Sequence, residues 1–440
     1  MAGVRLTTAL LLLAVLTAPA HAREPLDMRV FTKIGEPGQP EPVAIGPDHR
    51  VYVGTNQLGH GDADAPSKVF AYSRRGKLVH EYELEGQPLD EDHGIQGLSF
   101  DHDGLLYALD RSADPRVVVL DPATGAQRVY ARFRDVPPCG ADGEDDCSDT
   151  QLDGPAGPDY ATFASWGDLY VTDIDQGLIW RVPKGGGRPE IWLKDARLES
   201  VYGPNGIQFM ADGRTLLFVN TASNPSAGNS LTGRLYTVPV QPDGTAGELT
   251  QVWESMPLDA PDGLAIARSG NVYVCLAGTS QLLMLSPDFT ELARTPPDPA
   301  ANQSEEIPMD GPGSVAFFGQ RLLVSNHSPI RGDPDSWAIL DVFAGEDGLP
   351  LHYPRISKPG LLVEASFGKA RRRLRVRVTR HLASATKPVR RARVRAAGIR
   401  RRTNRRGRVT FSLPAPEGVA PPVVVRVRKR GFRPARLVLG

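Results

Sequence analysis

The sequence predicts an all-β protein, a six-bladed β-propeller followed by a small β-sandwich. Three observations carry that prediction. A short strand unit recurs six times in the middle of the chain, helical periodicity is nearly absent, and beyond residue 360 the pattern changes to strict apolar/arginine alternation. The composition agrees: of 440 residues 45 are Gly and 39 Pro, which favours turns over long helices. Hydrophobic residues make up 40%, enough for a real core and too many for a disordered chain. Only one uninterrupted apolar run exists, near the N-terminus, which excludes a multi-span membrane protein.

The chain opens with an address rather than a structural element. Arg5 gives a positive start, and Leu6 to Leu16 form an apolar stretch shorter than the roughly 20 residues a membrane span needs. Ala20-His21-Ala22 is a small-x-small cleavage site. Residues 1–22 are therefore expected to be a signal peptide removed after Ala22. That leaves a protein with no transmembrane segment, secreted or held in the cell envelope or periplasm. No cysteine lies near the cut, which argues against a lipid anchor. In that oxidising space Cys139 and Cys147, which bracket a polar loop, are expected to form a disulfide. The acids of the loop, Asp142, Glu144, Asp145, Asp146 and Asp149, lack EF-hand spacing and read as a solvated turn rather than a calcium site. Cys275 falls in a strand pattern and is expected to be a buried free thiol.

Over residues 30–354 a turn, often containing Asp and Gly, leads into a β-branched and aromatic strand. The six copies centre on Val51-Tyr52-Val53, Leu106-Tyr107-Ala108, Leu169-Tyr170-Val171, Leu217-Phe218-Val219, Val272-Tyr273-Val274 and Leu322-Leu323-Val324. Each is preceded by another short apolar strand, and each of the first five is followed by a third and usually a fourth. The sixth is less regular, running through Ala338 to Val342. Four short antiparallel strands that recur in this way are the blades of a propeller. A β-sandwich is the rival, but it does not predict a repeated unit.

Equivalent positions in successive blades face one central axis, so the repeat says which side chains meet. Eleven positions before the strand tyrosine stand Glu41 (from Tyr52), Gln96 (Tyr107), Asp159 (Tyr170) and Asp262 (Tyr273). The longer turn of the fourth copy puts Asn205 there, and the sixth copy puts Gly313 or Ser314. Three carboxylates and two amides thus converge where the innermost strands begin. Carboxylates crowded into a channel repel one another, so their pKa values shift or a counter-charge is required. A hard divalent cation supplies that charge, and Asp, Glu and Asn without Cys or His suit calcium rather than zinc. A solvated polar channel with Arg or Lys counter-ions accounts for the same residues.

Four stretches hold these residues: Glu41-Pro42-Val43-Ala44-Ile45, Pro158-Asp159-Tyr160, Gly203-Pro204-Asn205-Gly206-Ile207 and Ala260-Pro261-Asp262-Gly263-Leu264. They resemble the SMP-30/gluconolactonase/LRE family, whose relatives include paraoxonases and strictosidine-synthase-like proteins. The last two stretches are the specific ones, and the likeness extends over residues 30–350. The resemblance implies a six-bladed propeller with one catalytic divalent metal, commonly calcium, in the channel, and hydrolysis of lactones. It implies metal-binding roles for Glu41, Asn205 and Asp262. Asp159 stands where the family has an asparagine, a departure that adds negative charge, and Gln96 is a candidate fifth, neutral contact.

In that reading the carbonyl of a lactone is polarised by the cation and a water attacks it, which calls for a base. Asp262 can hold metal and water together. His93 and His327 are the alternatives, because imidazole titrates near the working pH. His93-Gly94-Ile95 resembles the catalytic-histidine region of paraoxonases, with a spacing to the strand tyrosine that differs by one residue. Ser325-Asn326-His327 ends the sixth-blade strand, near the channel mouth. Both histidines also read as ordinary rim-loop residues. Other nucleophile schemes lack their motifs: there is no Gly-x-Ser-x-Gly elbow, His-Glu-x-x-His pair or P-loop. Gly185-Gly186-Gly187 lies between two predicted strands and reads as a hairpin turn. The Ser-, Asn- and Gly-rich loop from Ala222 to Gly233 either shapes substrate entry or is a mobile surface loop.

Charge divides the chain. It holds 51 Lys+Arg and 51 Asp+Glu, yet 26 of the basic residues and only two acids, Glu364 and Glu417, lie from Arg355 onward. The tail therefore carries +24 and the rest −24. Residues 360–440 alternate, as in Leu374-Arg375-Val376-Arg377-Val378 and Val423-Val424-Val425-Arg426-Val427-Arg428, the mark of strands with one buried and one wet face. Their order resembles small carboxypeptidase-regulatory-like or bacterial immunoglobulin-like sandwich modules. Part of the arginine keeps wet strands soluble; the remaining field suits an anionic envelope polymer, acidic lipids or the protein's own acidic propeller rather than nucleic acid.

The function expected from these readings is an exported, calcium-dependent hydrolase of lactones or related esters. The rival is a non-catalytic propeller that binds a ligand or an envelope partner, its metal structural. A strictosidine-synthase-like or other non-hydrolytic enzyme is the third reading.

Overall fold

The computed structural model describes residues 23–57, 64–137, 154–224, 228–330, 332–356, 361–368, 371–382, 385–414, 422–430, 432 and 435–439. The expected signal peptide and the Cys139–Cys147 loop lie outside the described residues, as does the middle of the fourth-blade loop.

Six antiparallel four-stranded sheets are built by the part of the chain from Met28 to Phe343. Their innermost strands are Pro40–Ile45, Gly94–Phe100, Pro158–Phe163, Pro204–Phe209, Pro261–Ile266 and Pro312–Phe317. Each touches the next, and the sixth touches the first, so the blades close into a ring. Turn chemistry sets the hairpins that follow. Asp101 accepts from the N–H groups of Asp103 (2.9 Å) and Leu105 (3.0 Å) and from the Tyr107 hydroxyl (3.1 Å). Asp48 does the same for Arg50 N–H (3.1 Å) and the Tyr52 hydroxyl (3.0 Å). The turn acid thus shapes the turn and satisfies the one polar atom of a fully buried tyrosine.

Packing follows the ring. Hydrophobic clusters lie between blades one and two, two and three, three and four, four and five, five and six, and six and one. Every blade interface is a small core, and the largest buried side chain, Trp180, fills the one between blades two and three. Blade six shows why its sequence looked irregular. Its outer strand is Met28–Lys33 from the N-terminal end, paired with Ala338–Phe343 through Met28↔Val342 and Val30↔Leu340. The first strand of the chain latches the last blade, a pairing that no local pattern announces.

The C-terminal strands form two further sheets. One holds Leu362–Phe367, Arg373–Leu382, Ala385–Pro388 and Arg408–Ser412; the other holds Ile399–Arg402, Arg393–Ala396, Val423–Arg428 and Ala435–Leu439. They share one core, with Leu374, Val376, Phe411, Val394, Val425 and Val427 fully or almost fully buried, which makes the module a sandwich. Among the described residues no helix is long and apolar enough to cross a membrane.

Candidate functional site

The convergence expected from the repeat arises from one local irregularity used six times. In each blade the pairing of the innermost strand with the second is interrupted, between Pro40 and Val43, Ile95 and Gly97, Pro158 and Ala161, Pro204 and Ile207, Pro261 and Leu264, and Pro312 and Val315. Glu41, Gln96, Asp159, Asn205, Asp262 and Gly313 occupy those bulges. A bulge turns a side chain out of the ladder, here towards the axis. In five of the six blades a proline precedes the bulged residue. The glycine that follows Asn205 and Asp262 has a packing reason. A Cβ on Gly206 would stand 2.6 Å from the Asp262 carbonyl oxygen, and one on Gly263 would stand 2.5 Å from that of Gly313 and 2.9 Å from the Tyr160 hydroxyl. Neighbouring innermost strands meet there at backbone distance.

Glu41 and Asp159 are each 3% exposed and Asn205 likewise, whereas Asp262 is only partly buried. Burial pushes the carboxyl of Glu41 up to about 8, against hydrogen bonds from Asn56 and Tyr160 and the charge of Arg111. Burial raises Asp159 and Asp262 well above the usual carboxylate range too, and the three acids reinforce one another: Glu41 acts on both aspartates, and Asp159 on Asp262. The counter-ion alternative is met in part by Arg111, whose field reaches Glu41 and Asp159. Its guanidinium, however, is held by both oxygens of Asp175 at 2.6 and 2.8 Å. The buried Cys275 thiol lies behind the ring, raised by burial and by Asp262 and Glu41.

His327 comes to this ring and His93 does not. The Nε2 of His327 is 3.1 Å from Glu41 Oε2, within ion-pair distance but not aligned for a hydrogen bond. Burial lowers its pKa to about 4, so the imidazole is neutral beside a carboxyl group that is largely protonated below pH 8. His93 is fully buried, with Nδ1 2.8 Å from the Glu91 carbonyl and Nε2 3.1 Å from that of Ala65. Its ring nitrogens serve loop structure.

One participant had no sequence signal strong enough to find it. Tyr160 follows Asp159 where the two specific stretches have glycine, and its side chain crosses the channel to donate to the Gly313 carbonyl at 3.0 Å. Gly313, in the sixth bulge, supplies room: a Cβ there would collide with the Glu41 carboxylate and the His327 imidazole. Beyond the ring the channel widens into a pocket of about 600 Å³, walled by the next residues of the same strands, such as Val43, Ala161, Ile207 and Leu264. Residues 347–353 cross its far end, tied by Leu349 N–H to the Ile266 carbonyl (2.8 Å) and by the Tyr353 hydroxyl to that of Ile45 (3.1 Å). On the ring side the loops of blades four to six expose Val201, Tyr202, Leu231, Met256, Leu258 and Ile330.

The donor chemistry fits a hard divalent cation. Among the described residues Asp262 Oδ1 and Asn205 Oδ1 are buried with no hydrogen-bond partner, and so is Gln96 Nε2, whose amide presents an oxygen if turned over. Asn205 is oriented by its Nδ2 donating to Thr221 Oγ1 at 3.0 Å. Among the described residues, no three His, Cys, Asp or Glu side chains are gathered closely enough to hold a metal by themselves, so a neutral amide oxygen is needed to complete the set.

The sequence profile of the SMP-30/Gluconolactonase/LRE-like region matches residues 194–322, which contain Asn205, Asp262 and Gly313. No curated protein matches the chain. Among solved structures it is similar to a virginiamycin B lyase of Staphylococcus aureus, at 16% identity over 70% of this chain and 82% of that one (TM-score 0.45). It is similar to regucalcin, a calcium-binding protein of Agrobacterium tumefaciens, at 17% identity over 74% and 99% (TM-score 0.47). A PQQ-bound aldose sugar dehydrogenase of Streptomyces coelicolor stands at 16% identity over 72% and 99% (TM-score 0.48).

Proposed function

We propose that the protein is an exported hydrolase of lactones or related esters that depends on a divalent cation, calcium by its donor set, held in the channel ring by Glu41, Asp159, Asn205 and Asp262. The observation that carries this reading is the pair of buried, unpartnered oxygens, Asp262 Oδ1 and Asn205 Oδ1, inside a ring of acids that raise one another's proton affinity. A cation bound there polarises an ester carbonyl and stabilises the negative charge that grows on its oxygen.

The chain's own residues divide the remaining work. Asp262, only partly buried, takes the proton from the attacking water. His327 and Tyr160 stand against Glu41, the imidazole Nε2 3.1 Å from its carboxylate and the Tyr160 hydroxyl beside it. His93 is left out of the chemistry, its ring nitrogens being taken up by backbone carbonyls. The apolar residues around the mouth suit a substrate with an apolar portion.

One observation favours the second reading, a non-catalytic propeller that binds a ligand or envelope partner: the acids do not by themselves form a three-ligand cluster among the described residues. A panel of lactones and aryl esters, assayed with and without chelator, separates the two. Hydrolysis that disappears with chelator and returns with calcium supports the enzyme. No turnover of any member by calcium-loaded protein supports the binding scaffold.

A further inference from the structure

The outer face of one sheet of the C-terminal module carries seven arginines in two rows, and we propose that this face binds a linear polymer bearing a phosphate in each repeat. The rows follow from strand register. Arg393 lies opposite Arg402 on one side and Arg428 on the other. Arg395 lies opposite Arg400 and Arg426, and Arg426 opposite Arg436. All seven are exposed, while the alternate residues Val394, Ala396, Val425 and Val427 are buried in the module's core.

Solubility does not account for the rows, because the other sheet of the same module solves that problem differently. There Arg377 lies between Glu364 and Arg408, and Arg375 between Ser366 and Thr410. Among the described residues the module has one ion pair, Arg377 with Glu364 at 3.7 Å on that sheet, and none of the seven arginines has an acidic partner. Like charges directly opposite one another destabilise a sheet. Two uninterrupted rows are a standing cost that an anion removes.

The shape of the face says what kind of anion. At one end Arg391, Arg393, Arg402, Arg428, Lys429 and Arg430 line a cleft of about 470 Å³. Guanidinium forks engage phosphate oxygens in pairs, a match that a lysine-rich face would not offer. Four strands at about 4.8 Å make the face roughly 14 Å wide, and same-side residues along a strand stand about 7 Å apart. A single phosphate meets a fraction of this array, whereas a chain of them meets all of it. The cleft borders one aromatic, Phe432, so it lacks the stacking platform that single-stranded nucleic acid uses.

The test uses the full chain and inorganic polyphosphate as probe, with binding measured by calorimetry at several salt concentrations. Two triple variants remove the same charge from different sheets: Arg393→Ser/Arg395→Ser/Arg428→Ser, and Arg373→Ser/Arg375→Ser/Arg408→Ser. The expected result is polyphosphate binding that weakens with salt. The first variant should lose roughly tenfold or more in affinity and about 2 in the salt slope, while the second stays near wild type. An unlowered melting midpoint in the first variant shows that the fold is intact. Equal loss in both variants would reduce the effect to bulk charge and overturn the site. So would tighter binding to a polyuronate or to phosphatidylglycerol vesicles than to polyphosphate, or a response to polyphosphate no greater than to inorganic phosphate.

Discussion

The channel ring and the arginine face both gather like charges, and burial separates their consequences. Glu41 and Asp159 are 3% exposed and meet Asp262 around one axis, so lost hydration lifts all three pKa values and repulsion from neighbouring acids adds to the shifts of the two aspartates. The arginines stand in water, where repulsion is screened and each contact matters little. The ring therefore needs a neutralising partner at one point, whereas the face tolerates its charge until an extended partner arrives. Where like charges sit determines whether they make a tight site or a salt-sensitive surface.

The largest effect is expected on activity. Asp262→Ala should lower kcat/KM for any lactone the protein hydrolyses by about 10²-fold or more, the scale of losing a general base. Steady-state assays check this, and a variant that keeps near-wild-type activity would remove Asp262 from the chemistry. Next in size is the ring's scaffold. Trp180→Ala at the interface of blades two and three should cost about 3–5 kcal/mol. It opens a cavity and leaves Asp173 Oδ2 without the indole N–H that donates to it at 2.8 Å. Denaturant titration reads that loss.

Acidity gives a third test, and its sign follows from Glu41. Its folded pKa of about 8 exceeds the ordinary 4.5, so the folded state binds more protons than the unfolded state between those values. The stabilisation from protonation is complete below about 4.5 and is lost as pH rises through 8. Chelated protein should accordingly melt at a lower temperature at pH 9 than at pH 6, and saturating calcium should remove or reverse the trend, because a cation favours the ionised carboxylates. Differential scanning calorimetry at both pH values reads this directly. The smallest effect belongs to the exposed face: the Arg393→Ser/Arg395→Ser/Arg428→Ser variant should leave the module as stable or raise its stability by about 1 kcal/mol or less in low salt. The gain should fade as salt is added.

Much of the ring was legible because the repeat is local. The turn-strand unit recurs at each blade, and counting from Tyr52, Tyr107, Tyr170 and Tyr273 reaches residues that all stand in the bulge of an innermost strand. What escaped was non-periodic. The latch of Met28–Lys33 onto Ala338–Phe343 joins opposite ends of the propeller, and nothing in either segment encodes the other. Tyr160 looked like one more strand residue, and only the closed ring carries its hydroxyl to Gly313. His93 stands three residues before Gln96, close in sequence to the ring, yet the loop turns its imidazole towards the Glu91 and Ala65 carbonyls. The basic alternation predicted the module's wet and buried faces, but the two sheets' different use of arginine depends on register, which alternation alone does not fix.

In the proposed function, residues of separate blades hold one divalent cation. Isothermal titration of the protein with calcium, alongside Asn205→Ala and Asp262→Ala, tests it most directly. One site of clear stoichiometry is expected, abolished or strongly weakened by both substitutions. Binding that neither substitution changes, or no binding at all, would contradict it and leave the propeller as a scaffold.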